Sequence, residues 1–153
     1  MAYWLFKSEP SSFSLEDLRA RGGPEPWSGV RNYQARNFMR AMRVGDLGFF
    51  YHSSCATPAV VGEVEVVRAY YPDATALDPG DHHYDPRALA HPELWSMVDV
   101  AFRSRYPTPV SLSRLKDCPP LSGMRLLARG NRLSILPVTE EEWRIIRGLA
   151  GIA

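Results

Sequence analysis

Few features of this chain announce a chemistry. It has two cysteines, Cys55 and Cys118, far apart and in neither metal-binding nor redox spacing. They read as free thiols in a reducing compartment rather than as a disulfide or a paired thiol site. No apolar run approaches the ~18 residues of a membrane span. The opening "MAYWLFKSEP" enters a strand-like segment at once and lacks the pattern of a signal peptide, so a cytoplasmic protein with no membrane partner is expected. There is no GxxxxGKS/T phosphate loop, no GxSxG elbow and no HExxH helix. Neither a linker nor an internal repeat divides the chain; its 13 prolines and 11 glycines are spread throughout. One domain over residues 1–153 is expected. The formal net charge is only +1, which excludes a broad basic coat. Any contact with a polyanion must come from a local patch.

What the chain does have is the composition of a soluble globular domain, 45% apolar and 23% charged over 153 residues. It also has one unusual stretch, "WSGVRNYQARNFMR", residues 27–40. There Trp27, Tyr33 and Phe38 are interleaved with Arg31, Arg36 and Arg40, and no carboxylate occurs between Glu25 and Asp46.

Periodicity supplies the elements. "YWLFK" (3–7) predicts a short buried strand. "SLEDLRARGG" (14–23) predicts a helix with Ser14 and Asp17 as a capping box. Asn32 caps a helix running to about Met42, with Ala35, Phe38, Met39 and Met42 as its apolar stripe. The opposite row of Arg36, Arg40 and Arg43 reads as a solvated face. "LGFFYHS" (47–53) is a strand. In "AVVGEVEVVRAYY" (59–71), Val60, Gly62, Val64 and Val66 fall on one face, and Glu63 and Glu65 on an outer one. Residues 72–94 form a loop long enough to be functional. "WSMVDVAFRSRY" (95–106) alternates again, "SLSRLKD" (111–117) makes a helical turn, and "RLSILPV" (132–138) a strand. "TEEEWRIIRGL" (139–149) closes the chain as a helix boxed by Thr139 and Glu142. Strands without a βαβ rhythm point to an α+β fold, a small curved sheet or open barrel flanked by short helices.

Candidate chemistry is sparse. The "DHHYD" run (81–85) contains metal-ligand types, yet adjacent ligands on one loop seldom close a site alone; a solvated turn is the favoured reading. No metal or cofactor is expected. His52 follows an apolar strand, where a half-buried, hydrogen-bonded histidine is the commoner outcome. The 27–40 stretch is sharper. Aromatic faces can stack a nucleobase, arginines can contact phosphate, and the helix start at Asn32 offers free N–H donors. Asn32, Gln34 and Ser53 are of the kind that reads a base edge.

Six segments in order, "YWLFKSEP", "WSGVRNYQARNFMR", "VGDLGFFYHSS", "VVGEVEVV", "WSMVDVAF" and "RLSILPVTEEEW", resemble the EVE domain family of the PUA-like superfamily across residues 2 to 147. The resemblance implies a PUA-like pseudo-barrel of mixed strands flanked by helices. It further implies a non-enzymatic module that binds nucleic acid, DNA or RNA, and reads a modified, flipped base, notably modified cytosine. A modification-dependent restriction system is the partner it raises. Carried onto this sequence, the pocket takes Lys7 and Ser8 from the "KSEP" turn and Trp27 as a stacking wall. Val30, Arg31 and Asn32 would reach the base edge or phosphate, with Gln34 and Ala35 at the helix start. Tyr51, His52 and Ser53 come from a strand end, and Arg132, Leu133 and Ser134 from "NRLS". Where this chain has Ala74 the family pattern commonly has proline, and where it has Asn131, serine; both changes bear on loop shape. Because the chain begins inside its first strand, it reads as the stand-alone, prokaryotic form.

Two rivals stand beside this reading. One is an enzyme on modified nucleobases with His52 as general acid or base. The other is a pocket for a free nucleoside or nucleotide-like ligand, whose binding would lack the steep salt dependence of a polymer. On the reader hypothesis, Trp27→Ala is expected to weaken binding and leave the fold intact.

Overall fold

The computed structural model describes residues 1–152. In chain order the elements are β1 (Tyr3–Ser8), α1 (Leu15–Arg21), β2 (Glu25–Pro26), α2 (Tyr33–Ala41), β3 (Leu47–His52), β4 (Ala59–Pro72), β5 (Ser96–Ser111), α3 (Leu112–Lys116), β6 (Ile135–Val138) and α4 (Glu140–Leu149). Four 3-10 turns lie in the connections. The strands form one open mixed sheet in the order β2-β5-β4-β3-β1-β6. Only β1 and β3 pair in parallel, with Phe6 opposite Phe50 and Ser8 opposite His52. This is the α+β, PUA-like architecture read from the sequence. No described helix is long and apolar enough to cross a membrane.

Strand alternation splits the core in two. Trp4 and Phe6 of β1 join Phe50, Val64, Val98 and α2's Ala35 and Met39 on one face. Leu5, between them, joins Phe49, Tyr51, Leu136 and α4's Trp143 on the other. Trp143 stacks at 4.2 Å on Phe49 and 4.7 Å on Tyr3. Local sequence fixes the helix starts. Ser14 with Asp17, and Thr139 with Glu142, form reciprocal capping boxes, and the Asn32 side chain accepts the Ala35 N–H.

Four readings of the sequence need correction. Val60 does not share a face with Val64 and Val66. The ladder slips between Val60 and Gly62, and a one-residue slip turns Val60 into the second core. Glu63 is no outer-face residue; it is 1% exposed and satisfied by Tyr106, Arg103 and Arg147. β6 begins only at Ile135, and residues 132–134 run as loop. Nor is the arginine row of α2 a free face. Arg36 donates to the Leu94 carbonyl, and Arg40 to Ser96 Oγ and the Glu93 carbonyl. These donors hold the end of the long connection between β4 and β5. That connection also has its own small core, Trp95 over Ala76 and Ala88.

Candidate nucleic-acid interface

The end of β1, the turn after it, residues 25–31 and the 82–83 tip of the long loop enclose a cleft of ≈ 550 Å³. That lies within the ~300–1,000 Å³ of sites for small ligands. Trp27 and Phe13 form an apolar floor, and Ser8, Ser12, Ser28 and Ser134 supply hydroxyls around it. Ser8 Oγ donates to the Phe13 carbonyl at 2.5 Å, which leaves its lone pairs for a ligand. Lys7 is the cleft's ammonium; burial lowers its pKa. Glu9 and Glu25 also line the space, so the cleft is polar rather than strongly basic.

The far wall is held by an ion pair at long sequence separation. Asp73, fully buried, accepts from the Gly29 N–H at 2.8 Å and from Arg31 Nη1 at 3.0 Å. Arg31 Nη2 reaches Thr75 Oγ1, and Arg31 Nε reaches the His83 carbonyl at 2.9 Å. Burial alone would raise the Asp73 pKa, but bonds from Thr75, Gly29 and Arg31 bring it below the usual carboxylate value. Gly29 has φ +85° and lies under the His83 ring; a Cβ there would sit 2.6 Å from a ring atom. The backbone conformation favours glycine here, and a Cβ would also push the His83 ring aside.

The structure gathers Lys7, Ser8, Trp27, Val30, Arg31 and Ser134 in this cleft. The other predicted site residues lie elsewhere. Asn32 is spent on its helix cap, Gln34 is exposed on α2, and Ala35 is fully buried. Tyr51 faces the second core, where burial first and the Cys55 charge second push its phenol up to about 12. His52 lines a separate apolar depression of ≈ 270 Å³. There its Nε2 accepts the Leu15 N–H at 3.2 Å, and burial lowers its pKa. The Ser53 N–H donates to the Ser8 carbonyl. Leu133 packs between the two cores, and Arg132 is exposed on the turn before Ser134. Trp27 is 7% exposed and meets Phe6, Phe13 and Phe50 edge-on at 5.2, 6.2 and 5.6 Å. A ring so enclosed has little surface left to present, and removing it would open the first core.

Several lining residues escaped sequence reasoning, among them Ser12, Phe13, Ser28, His82 and His83. Phe13 and Ser12 had no signal beyond their nearness to "KSEP". The histidines had one, the length of their loop.

An open mixed sheet with short helices on both faces, and a polar cleft where β1 ends, defines a PUA-like α+β domain. A family model for the EVE domain matches residues 2–149, and the chain belongs to that family. Thymocyte nuclear protein 1 of Gallus gallus is 44% identical over 165 residues, aligning 96% of this chain with 68% of its own length. A crystal structure of a Pseudomonas putida protein is 52% identical, with a TM-score of 0.93 over 97% of this chain and 99% of that one. The crystal structure of human THYN1 protein in complex with 5-methylcytosine-containing DNA is 40% identical, with a TM-score of 0.94 over 100% and 99%.

Proposed function

We propose that this protein is a non-enzymatic reader of modified cytosine in DNA, and that the modified base enters the cleft above Trp27 and Phe13. The observation that carries the reading is likeness, over the whole of this chain, to the human THYN1 chain crystallised with 5-methylcytosine-containing DNA. The cleft supports it chemically. A flipped base needs an apolar surface for its ring and methyl group and hydrogen-bonding groups for its edge. Phe13 and the exposed part of Trp27 supply the first; Ser8, Ser28, Ser134 and Lys7 supply the second. Phe13, half-buried, takes the stacking role expected of Trp27 from the family resemblance. Arg31 acts through the wall it braces. Arg129 and Arg132, exposed just before Ser134, suit the DNA backbone.

His52 works against the enzyme rival. It lines a different depression, and its Nε2 lone pair is engaged by the Leu15 N–H. A restriction-system partner belongs to the same proposal and would be met through the DNA.

The test is a fluorescence titration with short duplexes carrying cytosine, 5-methylcytosine or 5-hydroxymethylcytosine at two salt concentrations. Tighter binding of one modified duplex, with a steep loss at high salt, is expected. Equal affinity for all three duplexes would remove the reader reading. Salt-independent binding of the free nucleoside would replace it with the metabolite rival.

A further inference from the structure

The loop over the cleft carries a cluster that base reading does not use. Asp81, His82 and His83 each offer one ligand atom, and these atoms all lie within 4.8 Å of one another. Asp81 Oδ1 is 3.3 Å from His83 Nδ1 and 3.8 Å from His82 Nδ1. Two atoms bound at ~2.0–2.1 Å to a tetrahedral ion sit roughly 3.3–3.4 Å apart. The first pair already has that spacing. The second exceeds it slightly, and the His82 side chain, 86% exposed, is free to turn inward. We propose that Asp81, His82 and His83 form a site for a divalent first-row transition ion, zinc above all, at the rim of the cleft.

Sequence adjacency argues against such a site only while the backbone is extended. Here it is folded into a turn. The Asp81 carboxylate accepts the His83 N–H at 2.8 Å, and the Asp81 carbonyl accepts the Tyr84 N–H at 3.0 Å. The turn brings the two imidazoles to a centroid distance of 3.8 Å. His83 is also fixed from outside the loop. Its ring rests on Gly29 and its carbonyl accepts from Arg31. Asp81 and His83 are thus in position before any ion arrives. The nearby Arg31 charge is matched by Asp73, so it does not oppose a cation unscreened. Two imidazoles and a carboxylate suit zinc, nickel or copper, whereas magnesium and calcium favour all-oxygen sets. Three protein ligands leave one tetrahedral position open. Since His82 and His83 both line the cleft, that position borders it. This inference rests on the loop geometry alone and goes beyond the nucleic-acid reading.

Calorimetric titration of the full chain, stripped with chelator and then given zinc chloride, tests it. One zinc per chain is expected. Binding should disappear in the His82→Ala/His83→Ala double variant, weaken by at least roughly tenfold in Asp81→Asn, and persist in His91→Ala. Thermal unfolding of the metal-free variants checks that each is folded. Should the double variant fail to fold, His82→Ala alone decides, because that side chain is exposed: weakened binding supports the site and unchanged affinity overturns it. No zinc binding by the native chain, or binding unchanged in a folded double variant, also overturns it. None of these outcomes depends on whether DNA binds.

Discussion

Arg31 and Asp73, 42 residues apart, meet at 3.0 Å and tie the helix-entry segment to the base of the loop over the cleft. Removing either partner leaves the other's charge without its counter-ion. Asp73→Ala should destabilise the protein by about 3 kcal/mol, at the low end for a broken buried pair because Arg31 keeps some access to water. Asp73's pKa is depressed in the folded state. Its contribution is therefore complete above the ordinary aspartate value of ~3.9 and is lost as pH falls through that value to the lower folded one. Urea unfolding at neutral and acid pH, with Asp73→Asn alongside, measures both effects. A native chain that loses no more stability in acid than Asp73→Asn would refute the linkage.

Trp27 and Phe13 should separate stability from recognition. Trp27 fills the first core, so Trp27→Ala is expected to cost ~3–5 kcal/mol of folding free energy. This replaces the expectation that the variant leaves the fold intact. Phe13→Ala should stay folded yet bind modified DNA ~1–3 kcal/mol more weakly if the ring stacks on the base. Chemical denaturation and duplex titration of the two variants make the comparison. Normal DNA binding by Phe13→Ala would rule the ring out as the stacking surface.

Glu63 is the buried junction between sheet and C-terminal helix. Tyr106 Oη donates to it at 2.6 Å and Arg147 Nε at 2.8 Å. Burial first, and then the bond to Glu63, push the Tyr106 pKa upward, so the phenol stays a donor. Glu63→Ala should cost ~3–5 kcal/mol by leaving Tyr106, Arg103 and Arg147 without their shared acceptor. Arg147→Ala should speed amide exchange in α4 more than in β1. Uniform exchange across the two elements would show that Glu63 does not anchor the helix.

How much of this was legible beforehand follows from what each feature depends on. Caps and stripes are local, so Ser14, Asn32 and Thr139 could be read directly. Six ordered segments were enough for the family and hence the sheet. The fate of a charge depends on partners far along the chain. Glu63 looked like an outer-face residue because Arg147, 84 positions later, is not visible from β4. Arg36 and Arg40 looked solvated for the same reason, since their acceptors lie 58 and 53 residues on. Trp27 lines the cleft, but its three aromatic neighbours come from β1, β3 and the turn after β1, which no local pattern brings together. Periodicity also misassigned Val60, because a bulge has no signature in alternating valines.

The four serines around the cleft sit on turns and loop ends, or at a strand's last residue, while the floor beneath is core. Ser12 and Ser28 are exposed, and replacing either disturbs no buried contact. What the cleft presents to a ligand at Ser12 and Ser28 can thus change at almost no cost to folding. Trp27 beneath them cannot. On the proposed reading, the side chains that would set discrimination between base modifications are the ones the fold leaves free to change.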